Sequence, residues 1–390
     1  MRTLATSLHT TTEPLATDEA ARKRKLHATT ARAHTVTGGG DENDARHRTG
    51  VNAENAPRPL GTATGTAWEP REATRSFAGH TLTFRLLETL ESAPWLQDIA
   101  VAAIKVVAPL LARGDKPTPT DIPDPAGSWK FAAIGDYGAG TSHLGKVAAN
   151  IATSGAKLII TAGDNVYPTG RFQDYQKNWE PAMGALSRSR AFMPALGNHD
   201  MYKDDLRPYF AHFPHLKGLN YYTFTQDNAQ FYSLDSDQDL RAGSAQRAWL
   251  EQELKTSKQP WKVVYLHYPM YGSSLKAFDE IRTSVQPLLE KYHVQLVVAG
   301  HEHNYVRAKP QNGVQHVLTG GGGQRVYPFT GKQPDHVALR RAAYHHLEIS
   351  VGAAQMVVRA IDEDGKRLDT FSVPLNSAAQ AQSGAAQLAA

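Results

Sequence analysis

Five short polar clusters interrupt residues 131–305, and each stands at the end of an apolar, strand-like run. They are Gly135-Asp136-Tyr137-Gly138, Gly163-Asp164-Asn165-Val166-Tyr167, Gly197-Asn198-His199-Asp200, His267-Tyr268-Pro269 and Gly300-His301-Glu302-His303. Every cluster offers a hard oxygen or an imidazole nitrogen. Tens of residues separate one cluster from the next, too far for a local metal loop but natural for loops that meet at one edge of a sheet. The runs 130–134, 157–162, 191–196, 262–266 and 295–299 would deliver these groups at strand carboxyl ends, where open α/β sheets place ligands. The pattern predicts one shared metal site and constrains the chain to an α/β fold.

Composition narrows what can hold the metal. The chain has no cysteine, which excludes disulfides, thiolate zinc sites and cysteine nucleophiles and leaves His, Asp, Asn and Tyr as ligands. A net charge of +4 over 390 residues does not imply nucleic acid and is compatible with a small anionic substrate. Residues 1–20 lack the apolar core of an export signal, which favours the cytoplasm over secretion. The most apolar run, 99–112, is short and carries Lys105 and Pro109, so no membrane span is expected. Oligomeric state is not legible.

Residues 1–75 are poor in large apolar side chains and are expected to be a disordered extension, with Arg22-Lys23-Arg24-Lys25 read as a solvated charge run. Within 76–116, Leu86, Leu87 and Leu90, then Ile99, Ala103, Val106, Val107 and Leu110, recur at helical spacing. Two short helices packed on the catalytic domain fit this, a surface or partner helix being the alternative. A proline-rich linker covers 117–128, the catalytic domain 129–375, and an Ala/Gln/Ser-rich tail 376–390. From 129 strands alternate with helices at 142–153, 173–186, 245–255 and 278–292, with shorter strands at 221–225 and 230–234. Strands at 315–319, 345–351, 355–361 and 367–373 look antiparallel and are expected to add a second sheet. The architecture drawn is a four-layer α/β/β/α sandwich of two mixed sheets.

In this order the clusters resemble the calcineurin-like metallophosphoesterase superfamily, and the tyrosine at 167 is similar to its purple acid phosphatase branch, in the small form without an amino-terminal β-sandwich. The resemblance spans 129–373. It implies a ferric ion held by Asp136, Asp164, Tyr167 and His303, and a divalent ion (Fe, Zn or Mn) held by Asp164, Asn198, His267 and His301. Charge counting agrees. A phenol of reference pKa about 10 ionises near neutrality only against a strongly polarising cation, and a trivalent with a divalent ion leaves about +1 for a phosphate dianion. The implied activity is acid phosphatase hydrolysis of phosphomonoesters, a hydroxide held by the two ions attacking phosphorus in line.

His199 takes the family role of a non-ligand histidine that orients phosphate or protonates the leaving group; a third ligand or a structural histidine are the other readings. One departure stands out. Where many members have a further histidine after His-x-Pro, residues 270–276 have none, and Lys276 is the candidate substrate contact in its place. Gly140-Thr141-Ser142-His143-Leu144-Gly145-Lys146 imitates a nucleotide phosphate loop, but Val147 stands where a magnesium-binding hydroxyl is needed. The glycines 320–323 read as close backbone passage beneath the metal loops, and Asp235 as a loop-fixing carboxylate. His212, His215, Tyr221, Tyr222, His316, His345 and His346 are read as packing or surface. Two rival functions remain: a phosphodiesterase of the same superfamily, acting on cyclic nucleotides or phospholipid head groups, and a non-catalytic phosphate-binding scaffold.

Overall fold

A computed structural model describes residues 121–201, 205–273, 278–329 and 331–375. The expectations for 1–75, 76–116 and 376–390, and the side chain of Lys276, lie outside these residues.

Two mixed sheets face each other. From edge to edge the first runs through strands 367–374, 355–362, 345–351, 129–134, 158–161 and 191–194, and the second through 337–341, 305–308, 315–319, 296–299, 261–266, 229–233 and 222–226. β1 (Trp129–Ile134), β2 (Leu158–Thr161) and β3 (Ala191–Pro194) run parallel in one; β5 (Ala229–Ser233), β6 (Trp261–Leu266), β7 (Leu296–Ala299) and β9 (Gln315–Thr319) run parallel in the other. β4 (Tyr222–Gln226), β8 (Tyr305–Ala308) and β10 (Val337–Arg341) pair antiparallel at the margins of the second sheet. The strands after 315 therefore do not form a sheet of their own. β9 inserts into the second sheet, while β11 (His345–Val351), β12 (Gln355–Asp362) and β13 (Arg367–Pro374) extend the first antiparallel to β1. The local signal for a strand says nothing about which neighbour it finds.

Alternation fixes which side chains meet between the sheets. Trp129 and Phe131 of β1 point inward onto Phe231 of β5, with Phe131 and Phe231 edge to face at 5.2 Å and Phe224 stacked on Phe231 at 4.9 Å. Phe231 is fully buried at this junction, so Phe231→Ala is expected to destabilise the fold by about 3–5 kcal/mol in chemical denaturation. A loss under ~1 kcal/mol would show that the sheets do not pack through these rings.

The helices form outside. α1 (Ser142–Thr153) starts where Thr141 accepts from Leu144 N at 3.2 Å, and buries Leu144, Val147, Ala148 and Ile151 as one stripe. Thr141 Oγ1 donates to Gly323 O, while Lys146 is exposed and paired with Asp364, so the glycine-rich lead-in is a helix cap rather than a phosphate loop. The single helix predicted over 173–186 is instead three pieces: α2 (Phe172–Asp174), a π-turn (Tyr175–Trp179) and α3 (Glu180–Ser189). The wider turn lets Tyr175, Asn178 and Trp179 all reach the loops beside β1, β2 and β3: Tyr175 Oη to Asp200, Asn178 Nδ2 to Tyr167 O, and Trp179 Nε1 to Tyr137 Oη. Tyr175 also stacks on His212 at 4.2 Å. On the second sheet, Leu250 and Leu254 of α4 (Ala245–Thr256), and Val285 and Leu289 of α5 (Asp279–Lys291), pack with Val264 and Val297. Among the described residues no helix is long and apolar enough to cross a membrane.

Candidate metal centre

The five clusters converge at strand carboxyl ends, but from two sheets. Asp136, Asp164 and Asn198 follow β1, β2 and β3, whereas His267, His301 and His303 follow β6 and β7. One sheet edge was expected; the site instead lies where the carboxyl ends of two sheets adjoin, which sets carboxylates of one against imidazoles of the other.

The side chains gather in two groups. In the first, Tyr167 Oη lies 2.7 Å from Asp164 Oδ2, 3.3 Å from Asp136 Oδ1 and 3.1 Å from His303 Nε2. Donor atoms of Asp136, Asp164 and His303 all fall within 4.8 Å of one another. In the second, His267 Nε2 lies 3.0 Å from Asn198 Oδ1, 3.2 Å from His301 Nδ1 and 3.4 Å from Asp164 Oδ1. Asp164 belongs to both, one carboxylate oxygen facing each group.

Each histidine is oriented from behind. His267 Nδ1 is 2.9 Å from Ala162 O and His303 Nδ1 is 2.9 Å from Arg325 O. A carbonyl only accepts, so Nδ1 carries the proton and the neutral ring presents its Nε2 lone pair to the site. His301 is wedged edge-on by Tyr268 at 4.7 Å and Phe278 at 5.2 Å, and His303 lies flat on Tyr327 at 4.5 Å. Lone pairs of carboxylate, amide and imidazole aimed at common points are what a cation satisfies, and this donor set of N and O with a phenol suits hard to borderline ions.

The backbone is strained to achieve this. Asp136, Asp164 and His301 have φ of +54°, +50° and +73°, in the left-handed region that costs a side-chain-bearing residue of order 1 kcal/mol or more. Gly300 cannot be larger, because a Cβ there would come within 2.5 Å of Asp136 Oδ2. Gly322 N bonds Gly135 O at 3.0 Å and Gln324 N bonds Asp136 O at 2.9 Å, the close passage of the 320–323 glycines expected from the sequence.

Electrostatics point the same way. Burial opposes charge on both Asp136 and Asp164. It prevails in Asp136, whose acid is held above the usual range despite His303 and His267, whereas in Asp164 the pull of His267 and His199 and hydrogen bonds from His199 N and Tyr167 outweigh it and hold the acid low. Burial also opposes the charge on His267, and Asp164 and Asp136 overcome it and raise that ring. Protons held by these groups are what an arriving cation displaces.

The family description "Calcineurin-like phosphoesterase" matches residues 130–305, the stretch that builds this centre. Residues 130–305 are a calcineurin-like phosphoesterase domain. Similar proteins of this phosphoesterase class include tartrate-resistant acid phosphatase type 5 of Mus musculus, 25% identical over 319 residues that cover 68% of this chain and 94% of that one. Phosphoenolpyruvate phosphatase of Allium cepa is 27% identical over 272 residues, 59% of this chain and 56% of that one. By family and relatives the chain is a phosphatase. In fold it is similar to a purple acid phosphatase from yellow lupin (Lupinus luteus) seeds, with TM-score 0.57, 17% identity and coverage of 68% and 56%. It is also similar, with TM-score 0.54, 17% identity and coverage of 66% and 94%, to GAP50, described as the anchor in the inner membrane complex of Plasmodium. Both likenesses concern the fold alone, and the chemistry is read from the side chains of the site.

Of the predicted site residues, Asp136, Asp164, Tyr167, Asn198, His267, His301 and His303 come together as described. His199 sits beside them, its Nδ1 2.7 Å from Pro168 O and its ring 4.4 Å from that of Tyr167. The rest behave as packing. His316 Nε2 meets Gln286, His345 bonds Thr319, and Asp235 fixes its loop through Asp237 N, Asn220 and Gln238. Sequence reasoning gave no part to Tyr327 or Phe278 and no role to Tyr268 within its cluster, though their rings hold the histidines; an aromatic residue carries no local sign of what it stacks on.

Proposed function

We propose that this domain hydrolyses phosphomonoesters at a dinuclear centre of a ferric and a divalent ion. The observation that carries the reading is the double donor group sharing Asp164, with one oxygen in each half. Asp136, Tyr167 and His303 would complete the site for the ferric ion, and Asn198, His267 and His301 that for the divalent ion.

When bound, such a pair lowers the pKa of water and neutralises phosphoryl charge. The chain's own residues do the rest. The carboxylates and the phenolate set the charge a phosphate dianion meets, and the aromatic wedges keep the imidazoles from turning away. His199 has its Nδ1 proton engaged by Pro168 O, so proton transfer to a leaving alkoxide falls to Nε2. Its half-buried place next to Asn198 suits a group that touches substrate rather than metal. The mouse relative's name supports a phosphatase of this kind, and a phosphomonoester is the smallest substrate the reading requires.

The test is spectroscopic. Purified protein is expected to bind two ions per chain, iron among them, and to show a broad visible band that disappears in Tyr167→Phe. A colourless protein with two divalent ions would reject the ferric site and favour the phosphodiesterase reading, which comparison of mono- and diester substrates then decides.

A further inference from the structure

Asp200 closes the third polar cluster, and no step above uses it. Its carboxylate is fully buried and collects four donors. Gly197 N and Asn165 Nδ2 each donate to Oδ2 at 2.8 Å, while Asn165 N at 2.9 Å and Tyr175 Oη at 3.3 Å donate to Oδ1. No cationic side chain is among these partners, so the carboxylate acts through geometry rather than as half of an ion pair.

The donors matter for what they adjoin. Asn165 follows Asp164 in the chain, and Gly197 precedes Asn198. One carboxylate therefore ties the loop after β2, which carries Asp164 and Tyr167, to the loop after β3, which carries Asn198 and His199. Asn165 extends the tie: its Nδ2 also donates to Ala195 O at 2.8 Å, and its Oδ1 accepts from Thr161 Oγ1 at 2.5 Å and Tyr137 Oη at 2.9 Å. Tyr137 is the neighbour of Asp136, so all three loops of the first sheet meet in one buried polar knot. Only a carboxylate answers four donors at once, because an amide of the same shape presents N–H to half of them.

We propose that Asp200 is a positioning residue that sets the separation of the two donor groups, holding Asn198 at the distance from Asp164 that the divalent ion requires. The proposal rests on the two-ion reading above. Outer groups that orient metal ligands without touching the metal alter affinity by about 10- to 100-fold when replaced.

The experiment compares full-length wild type and Asp200→Asn by metal analysis, titration with a divalent ion and phosphatase kinetics as a function of that ion. Expected in Asp200→Asn are retention of the first ion, weakening of the second by roughly 10- to 100-fold, and recovery of kcat when the divalent ion is in large excess. A role confined to stability would lower Tm and leave both ion affinity and the metal dependence of kcat at wild-type values, which overturns the proposal. So does a loss of kcat that excess ion does not restore. Should Asp200→Asn not fold, Tyr175→Phe removes only the longest of the four hydrogen bonds. A smaller weakening of the same ion supports the proposal, and wild-type affinity overturns it. Wild type holding fewer than two ions would instead refute the two-ion reading, an outcome visible before any variant is made.

Discussion

Asp164→Ala is expected to lower phosphomonoester hydrolysis by at least about a thousandfold, the scale set by the several kcal/mol that metal ions supply to such displacements. No other side chain has so large a share in the site. Its Oδ2 is 2.7 Å from Tyr167 Oη and its Oδ1 is 3.4 Å from His267 Nε2, so truncation takes a donor from each group and leaves the phenol and the imidazole with no anion between them. Metal content should fall with activity. The fold should persist, because Asp164 contributes no apolar burial and the extra cost of placing alanine rather than aspartate in the left-handed backbone is on the order of 1 kcal/mol. Circular dichroism and the unfolding midpoint separate loss of the site from loss of structure. Activity within tenfold of wild type would show that hydrolysis does not run through Asp164 and would reject the shared-carboxylate centre.

Removing the metals tests the same centre without mutation. Prolonged chelation is expected to abolish activity and lower Tm, with both restored by iron together with a divalent ion and neither by the divalent ion alone. An ion present at about a thousand times its Kd stabilises the native state by about 4 kcal/mol, and two such sites make the drop in Tm readily measurable by calorimetry. The cause is structural: buried carboxylates, a phenol and three imidazoles face one another at 2.7–3.4 Å and need a cation between them. Unfolding and hydrolysis that ignore chelation would contradict a metal centre of any composition.

The residues that gather at the centre were legible because they lie in short motifs at strand ends, where residue type and spacing are both constrained. β1 and the helix over 142–153 were legible too, since period-2 and period-3.6 patterns are local. What lay beyond reach was whatever depends on partners distant in sequence. Nothing in 315–319 or 345–351 announces that the first joins the sheet of β7 and the second the sheet of β1. The residues that aim His301 and His303, and the knot around Asp200, were invisible for the same reason. The π-turn escaped because Tyr175 and Trp179 fit a helical stripe as well as they fit the widened turn.

That widened turn makes length, rather than identity, the vulnerable property of residues 175–179. A helical segment can exchange its exposed side chains one for another with little harm. Losing a single residue here would rewind the segment to regular α-helix and remove the wide turn from which Tyr175, Asn178 and Trp179 reach their partners. Asn178 would leave the carbonyl of Tyr167 and Trp179 would leave Tyr137, so a one-residue deletion in a helix would be felt as a loosened lid on two loops it never enters. In relatives that vary freely in sequence, this stretch should keep its residue count long after its letters have changed.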